Sequence, residues 1–359
     1  MTINDRRSLH RHLQWALELE HSTIPPYLCA LYSIPNGANT GPAMVIRSVV
    51  MEEMLHMTLA ANLLNAVGGK PLIDDPKFIP NYPTYLPHSN RAFIVQLLPF
   101  SRDAVNTFLD IERPAKAKAK PEPHRYQTIG QFYEAIEDGL HRLTKKYGEK
   151  KLFNGKPERQ IDGSRYYYGG GGEPLAVTDL ASATRALHEI TEQGEGLDHT
   201  IFDGDNQFGQ VDEIAHYFRF NEIHTGRRYL PTDSPASGPT GPEFPVDWSA
   251  RYPMRPNPKA SDYKHRPDVH RLMMAFNRGY SDLLRMLHRA FNGHPDVLLE
   301  AVPQMYQLKY RAQELMAIPS GHPDGTTVGP SFEYVAPPRR KLGIRVPRGG
   351  RSRRSDRAT

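Results

Sequence analysis

Cys29 is the only cysteine in 359 residues, which excludes an intrachain disulfide and is natural for a reducing compartment. It lies in an apolar stretch and reads as a small core residue rather than a nucleophile. The chain contains no run of eighteen apolar residues, so no membrane-spanning helix is expected. Its start, "MTINDRRSLHRHLQWALELEH", is charged throughout and lacks the apolar block of a secretion signal, and the expectation is a cytoplasmic protein. No internal repeat of fixed period occurs.

A strong charge of one sign is missing from most of the chain as well. The formal net charge is +5, but the final stretch 337–359 carries nine basic residues against the single Asp356. The rest is therefore mildly acidic, and neither a nucleic-acid nor a membrane partner is expected. That last stretch has too few apolar residues to offset the entropy of ordering and is expected to be a disordered basic tail.

What the chain does contain is helical periodicity. Residues 6–32 carry Leu9, Leu13, Leu17, Ile24, Leu28 and Leu31 on one side, with Pro25 and Pro26 expected to kink or divide the helix. A second helix is predicted over 42–67, closed by Gly68 and Gly69. A third begins at Thr178 or Asp179 and carries Leu180, Ala183, Leu187 and Ile190; a fourth covers 211–229. Between the second and third lie more than a hundred residues, too long for a bare loop. They hold helix candidates at 102–111 and 128–146, the latter opened by a Thr128/Gln131 capping box, and a "YYYGGGG" run read as a loop. A Pro- and Gly-rich stretch over 231–267 is followed by helices at 269–291 and 295–318.

The second helix poses the chemical question. Its apolar stripe, Ile46, Val49, Val50, Met57, Ala60, Leu63, Leu64 and Val67, is interrupted by Glu53 and His56. An ionised carboxylate buried without a partner costs several kcal/mol, so something must meet it there. Glu-x-x-His places both side chains on one face about one turn apart, where they can grip the same cation. The spacing recurs at Glu213 and His216, with Phe220 and Ile223 continuing the face. Two such pairs, with one inward Glu from each of two further helices, form the ligand set of di-iron and di-manganese carboxylate bundles.

The first helix supplies Glu20, which falls within its apolar stripe. On the third, with about 100° per residue from Leu187, Glu195 lies about 80° away, Glu192 about 140° and Glu189 about 200°. Glu195 is the favoured ligand and Glu192 the reserve. Tyr27 and Arg219 are candidates for supporting roles, Tyr27 as a hydrogen-bond partner of the ligands and Arg219 as an anchor for a substrate carboxylate. Carboxylate-rich sets with two imidazoles suit iron, with manganese as the other choice, better than copper(I) or structural zinc.

The segments "LQWALELEHSTIPPYLCALYSI", "IRSVVMEEMLHMTLAANLLNAVGG", "LPFSRDAVNTFLDIERP", "TIGQFYEAIEDGL", "EQGEG", "AHYFRFNEI" and "GPSFEYV" resemble the ferritin-like domain family typified by the iminophenyl-pyruvate dimer synthases of violacein- and rebeccamycin-type pathways. The resemblance implies a ferritin-like bundle, iron, and coupling or oxidation of imine-type intermediates made from aromatic amino acids by a partner amino-acid oxidase. It implies metal ligation by Glu20, Glu53, His56, Glu195, Glu213 and His216.

The expectation is thus an all-α, ferritin-like four-helix bundle over 1–230 with a long crossover insertion at 69–178. A wrapping segment and a C-terminal helical extension over 231–336 would pack on that bundle. It would hold two iron ions and act as an oxidoreductase, using dioxygen or peroxide on a small amino-acid-derived metabolite in secondary metabolism. A homo-oligomer is compatible with this reading. Its rivals are a ferritin-type iron-storage shell, whose compact packing the insertion and extension would disturb, and a non-enzymatic scaffold for a biosynthetic partner.

Overall fold

The computed structural model describes residues 2–337 except 117, 164–170, 173, 198–199 and 208–210. The expected basic tail beyond 337 and most of the "YYYGGGG" run lie outside the described residues.

Helix α1 (Arg6–Ser33) opens with Asp5, whose side chain accepts from Ser8 N–H at 2.7 Å while the Ser8 hydroxyl accepts from Asp5 N–H at 3.1 Å. Pro25 and Pro26 do not divide it, contrary to the simplest reading of the sequence. Pro26 cannot donate to the carbonyl of Ser22, and that carbonyl instead accepts the Tyr82 hydroxyl at 2.7 Å. Helix α2 (Thr40–Ala66) returns beside α1 and ends where Gly68 takes φ +80° and the Gly69 N–H reaches back to the Leu64 carbonyl at 2.9 Å.

The crossover holds α3 (Arg102–Ile111), capped by Ser101, α4 (Ile129–Tyr147), with the Thr128/Gln131 capping box in place, and the short α5 (Glu149–Leu152). Asp179, rather than Thr178, caps α6 (Leu180–Glu195). The predicted fourth helix is shorter than expected. Residues Phe202–Gln207 (β1) and Val211–Ile214 (β2) form an antiparallel ribbon, and α7 begins only at His216, running to Thr225. Over four residues, V-D-E-I fits strand alternation as readily as a helical face, and pairing with β1 decides between them.

α1 and α2 form one side of the bundle. α6 and α7 pack on α2 and on each other, while α4 lies between α1 and α6, and α3 between α1 and α7. The crossover is therefore part of the wall around the site. Further on, the chain wraps back over the bundle: Tyr252 N–H donates to Ser33 O at 2.8 Å and Asn257 N–H to Leu97 O at 2.9 Å. α8 (Pro267–Ala290) and α9 (Leu298–Met316) then pair, α9 resting on α1, and Tyr280 of α8 meets His21 Nε2 at 2.6 Å. One hydrophobic core runs from α1 through α9. The fold is mostly helical, and no helix among the described residues is long and apolar enough to cross a membrane.

Candidate metal centre

Five buried side chains from four helices converge inside the bundle. Glu20 comes from α1, Glu53 and His56 from α2, Glu112 from the C-cap of α3, and His216 from the first turn of α7; none is more than 4% exposed. They form two groups that share one carboxylate, Glu20/Glu53/His56 and Glu53/Glu112/His216. His56 Nδ1 lies 3.5 Å from Glu20 Oε2 and 3.6 Å from Glu53 Oε1. His216 Nδ1 lies 3.2 Å from the same Glu53 oxygen and 3.6 Å from Glu112 Oε2.

The electrostatics of this cluster call for cations. Burial, then the charge of Glu112, pushes the Glu53 carboxyl up to about 7. Burial works against a charged His56, but hydrogen bonding to Glu20 and the charge of Glu53 outweigh it and raise its pKa. His216 is raised well above its usual value in the same way, burial being overcome by Glu112, Glu52 and Glu53. Bound metal ions would relieve the same carboxylate repulsion without protons. The fit can be tested at one atom: His216 Nδ1 is fully buried, faces two carboxylates and has no hydrogen-bond partner. A donor set of three carboxylates and two imidazoles, with both Nδ1 atoms turned inward, fits two hard or borderline divalent cations such as iron or manganese.

A second layer holds the inner groups in place. Thr23 donates to Glu53 Oε2 at 2.5 Å, Tyr133 donates to Glu20 Oε1, and Tyr27 donates to Glu112 Oε1. His56 Nε2 meets Gln193 Oε1 at 2.8 Å and His216 Nε2 meets Glu52 Oε2 at 2.7 Å. Both partners are acceptors, which assigns the proton of each ring to Nε2 and leaves Nδ1 free to bind a cation. Burial and the neighbouring carboxylates hold the Tyr27 and Tyr133 hydroxyls protonated well beyond the usual range.

Of the side chains expected from the sequence, Glu20, Glu53, His56 and His216 meet at this point, and Tyr27 stands directly behind it. Glu213 does not join them. It lies on β2, so the Glu-x-x-His spacing is not helical there, and its carboxylate faces Arg219 at 3.1 Å. Arg219 is buried and taken up by Glu52 and Asp203, each at 2.8 Å, as well as by Glu213, and therefore does not offer a free guanidinium to a substrate. Glu195 borders the site, but its carboxylate accepts from Gly130 N–H at 2.8 Å and Ala115 N–H at 2.9 Å. Burial nevertheless lifts it to about 7. Glu192 is half-buried and belongs to neither described group. The residue that α6 turns inward is the neutral Gln193.

Glu112, Glu52, Thr23, Tyr133 and Gln193 went unassigned in the sequence. Two carried a readable signal: Glu112 continues the buried stripe Val105, Phe108 of α3, and Glu52 continues Val45, Val49 of α2. For Gln193 and Tyr133 no local pattern distinguishes the role.

A cavity of about 10 Å³ opens at the centre, lined by Glu20, Glu53, His56 and Glu112 together with Ile129, Gly130, Ile190, Thr191, Gly194 and Glu195. It lies under the seam between the start of α4 and the end of α6, which Glu195 bridges. At Gly130 a Cβ would stand 2.5 Å from Glu195 Oε1, so glycine is what lets this carboxylate reach the amide.

A family model described as Ferritin-like matches residues 13–225, the span from α1 to the end of α7 that contains every group of the centre. The chain belongs to the ferritin-like family. A ferritin-like protein from Caulobacter vibrioides, solved by crystallography, superposes with a TM-score of 0.61 at 22% identity, covering 91% of this chain and 97% of that one, and so shares the ferritin-like fold. Dichlorochromopyrrolate synthase from Lentzea aerocolonigenes is 26% identical over 94% of this chain. This ferritin-like chain spans only 37% of the length of that relative. The match bears out the resemblance carried by the sequence motifs.

Proposed function

We propose that this ferritin-like protein is a two-metal oxidoreductase of secondary metabolism, loaded with iron or, failing that, manganese, acting on a small amino-acid-derived substrate of imine type. The observation that carries the reading is the convergence of two imidazole Nδ1 atoms on one shared carboxylate, Glu53, with one of those nitrogens buried and unpartnered. Glu20, Glu53 and His56 would hold one ion, and Glu53, Glu112 and His216 the other. A pair of iron ions supplies electron transfer between substrate and dioxygen or peroxide.

The chain's own groups set the conditions for that chemistry. Tyr27 and Tyr133 keep their protons and fix one oxygen of Glu112 and of Glu20, so the other oxygens face inward. Burial excludes water from the donor atoms. A space of about 10 Å³ accommodates no metabolite. Access therefore requires the α4–α6 seam to part, with Glu195 releasing the amides of Ala115 and Gly130. Burial raises its pKa to about 7, so loss of its proton favours that release, because the charged carboxylate gains solvation on leaving the seam. The motif resemblance to the iminophenyl-pyruvate dimer synthases, with which the match to dichlorochromopyrrolate synthase agrees, supports an imine-type substrate supplied by a partner amino-acid oxidase.

The test is anaerobic reconstitution with Fe(II), metal analysis, and oxygen uptake with aromatic amino acids treated with an amino-acid oxidase. Two irons per chain and substrate-dependent oxygen uptake are expected. A protein that retains no iron, or that takes up oxygen only while oxidising Fe(II) in bulk, would refute the proposal, the second result pointing to storage.

A further inference from the structure

The two groups that share Glu53 are alike in their inner donors and unlike behind them. Each offers two carboxylates and one imidazole Nδ1. Behind His56, Nε2 meets the amide oxygen of Gln193 at 2.8 Å. Behind His216, Nε2 meets a carboxylate, that of Glu52, at 2.7 Å. A hydrogen bond to an ionised acceptor is roughly twice as strong as one to a neutral acceptor. It draws the Nε2 proton away from the ring and makes the opposite nitrogen a better metal donor.

Glu52 is held between two donors, its Oε1 2.8 Å from Arg219 Nη1 and its Oε2 2.7 Å from His216 Nε2. Asp203 at 2.8 Å and Glu213 at 3.1 Å share the same guanidinium, which is therefore not given to Glu52 alone. Behind His56 the corresponding acid, Glu189, acts only at one remove, through the Gln193 Nε2 at 3.1 Å.

The geometry points to two inequivalent divalent-cation positions, of which the one formed by Glu53, Glu112 and His216 fills first and more tightly because Glu52 stands behind His216 as a positioning residue. This rests on the two-metal reading above. Arg219 has a second consequence. It ties α2 through Glu52 to both strands of the ribbon through Asp203 and Glu213, so the segment that delivers His216 is anchored to the helix that supplies Glu53.

The experiment is an anaerobic titration of the full chain with Co(II), followed by visible absorption and calorimetry. A crystal soaked with one equivalent of Co(II) then locates the first ion by anomalous scattering. Two resolved steps are expected, with the first ion beside His216. Glu52→Gln keeps an acceptor for Nε2 but removes the charge, and should weaken the first step by roughly 10- to 100-fold while leaving the second. Arg219 remains neutralised by Asp203 and Glu213 in that variant. Gln193→Glu should do the converse, strengthening the second step until the two approach each other. Two equal steps in the wild type, a first ion beside His56, or a Glu52→Gln titration that overlays the wild type would each overturn the inference. Should Glu52→Gln fail to fold by far-UV circular dichroism, Gln193→Glu decides: converging steps uphold the inference and an unchanged second step overturns it. A wild type that binds no Co(II) sinks the two-metal reading itself.

Discussion

The imidazole rings of His56 and His216 lie 5.4 Å apart and only 23° from parallel, with Glu53 Oε1 within 3.6 Å of both Nδ1 atoms. They come from helices whose ligand positions are 160 residues apart in the chain, and one carboxylate oxygen relates them. Glu53 is accordingly the residue on which both cation positions depend.

Glu53→Ala should abolish binding at both positions, whereas Glu20→Ala and Glu112→Ala should each impair one. Inductively coupled plasma analysis of reconstituted protein gives the stoichiometry. Near-full loading of Glu53→Ala would show that the ions sit elsewhere.

Arg219 bridges the buried acids Glu52, Asp203 and Glu213. Arg219→Met would remove the guanidinium they share, and breaking a buried pair in this way costs about 3–5 kcal/mol. Glu213→Gln, which leaves the arginine two acids, should cost far less. Urea denaturation of both variants tests the order, and equal losses would contradict the network.

Glu195 gives the metal-free protein a pH dependence. Burial raises its folded-state pKa to about 7 from an unfolded value of 4.5. The folded state therefore binds this proton more tightly, and the stability it brings is fully present below pH 4.5 and is lost as pH rises through about 7. Relative to Glu195→Gln, the wild type should lose on the order of 1–3 kcal/mol across that window. A difference between the two proteins that stays flat with pH would show that Glu195 is solvated.

Cys29 is fully buried, and burial pushes its thiol far above its usual value. A thiol held protonated in a close-packed core does not react as a thiolate. Iodoacetamide should leave native protein unmodified and label it once per chain in denaturant. Rapid labelling of the native chain would mean that α1 opens around Pro25 and Pro26.

The ligand groups on α1 and α2 were legible because helical periodicity exposes a polar residue set in an apolar stripe, as at Glu20, Glu53 and His56. Glu112 obeyed the same rule but sits one residue past a short helix, where the stripe is too brief to attract notice. Glu195 stands at the border of the site for a different reason. Its angle about the helix axis is right, yet it lies at the C-terminus of α6, where the amides of Ala115 and Gly130 come from another part of the chain and capture the carboxylate. Glu213 is set apart by secondary structure: β1 pairs with its segment and moves it off the helix that carries His216.

The sequence by itself determined the helices, their caps and the polar interruptions of their buried faces, because these depend on residues within a few positions of one another. Only the tertiary structure decided which carboxylate faces which imidazole. It turned Glu112 inward instead of Glu195 or Glu213, and set Gln193 behind one ring and Glu52 behind the other. Those pairings join residues about a hundred positions or more apart, and their energies depend on burial and on the competing donors nearby, neither of which a one-dimensional pattern records.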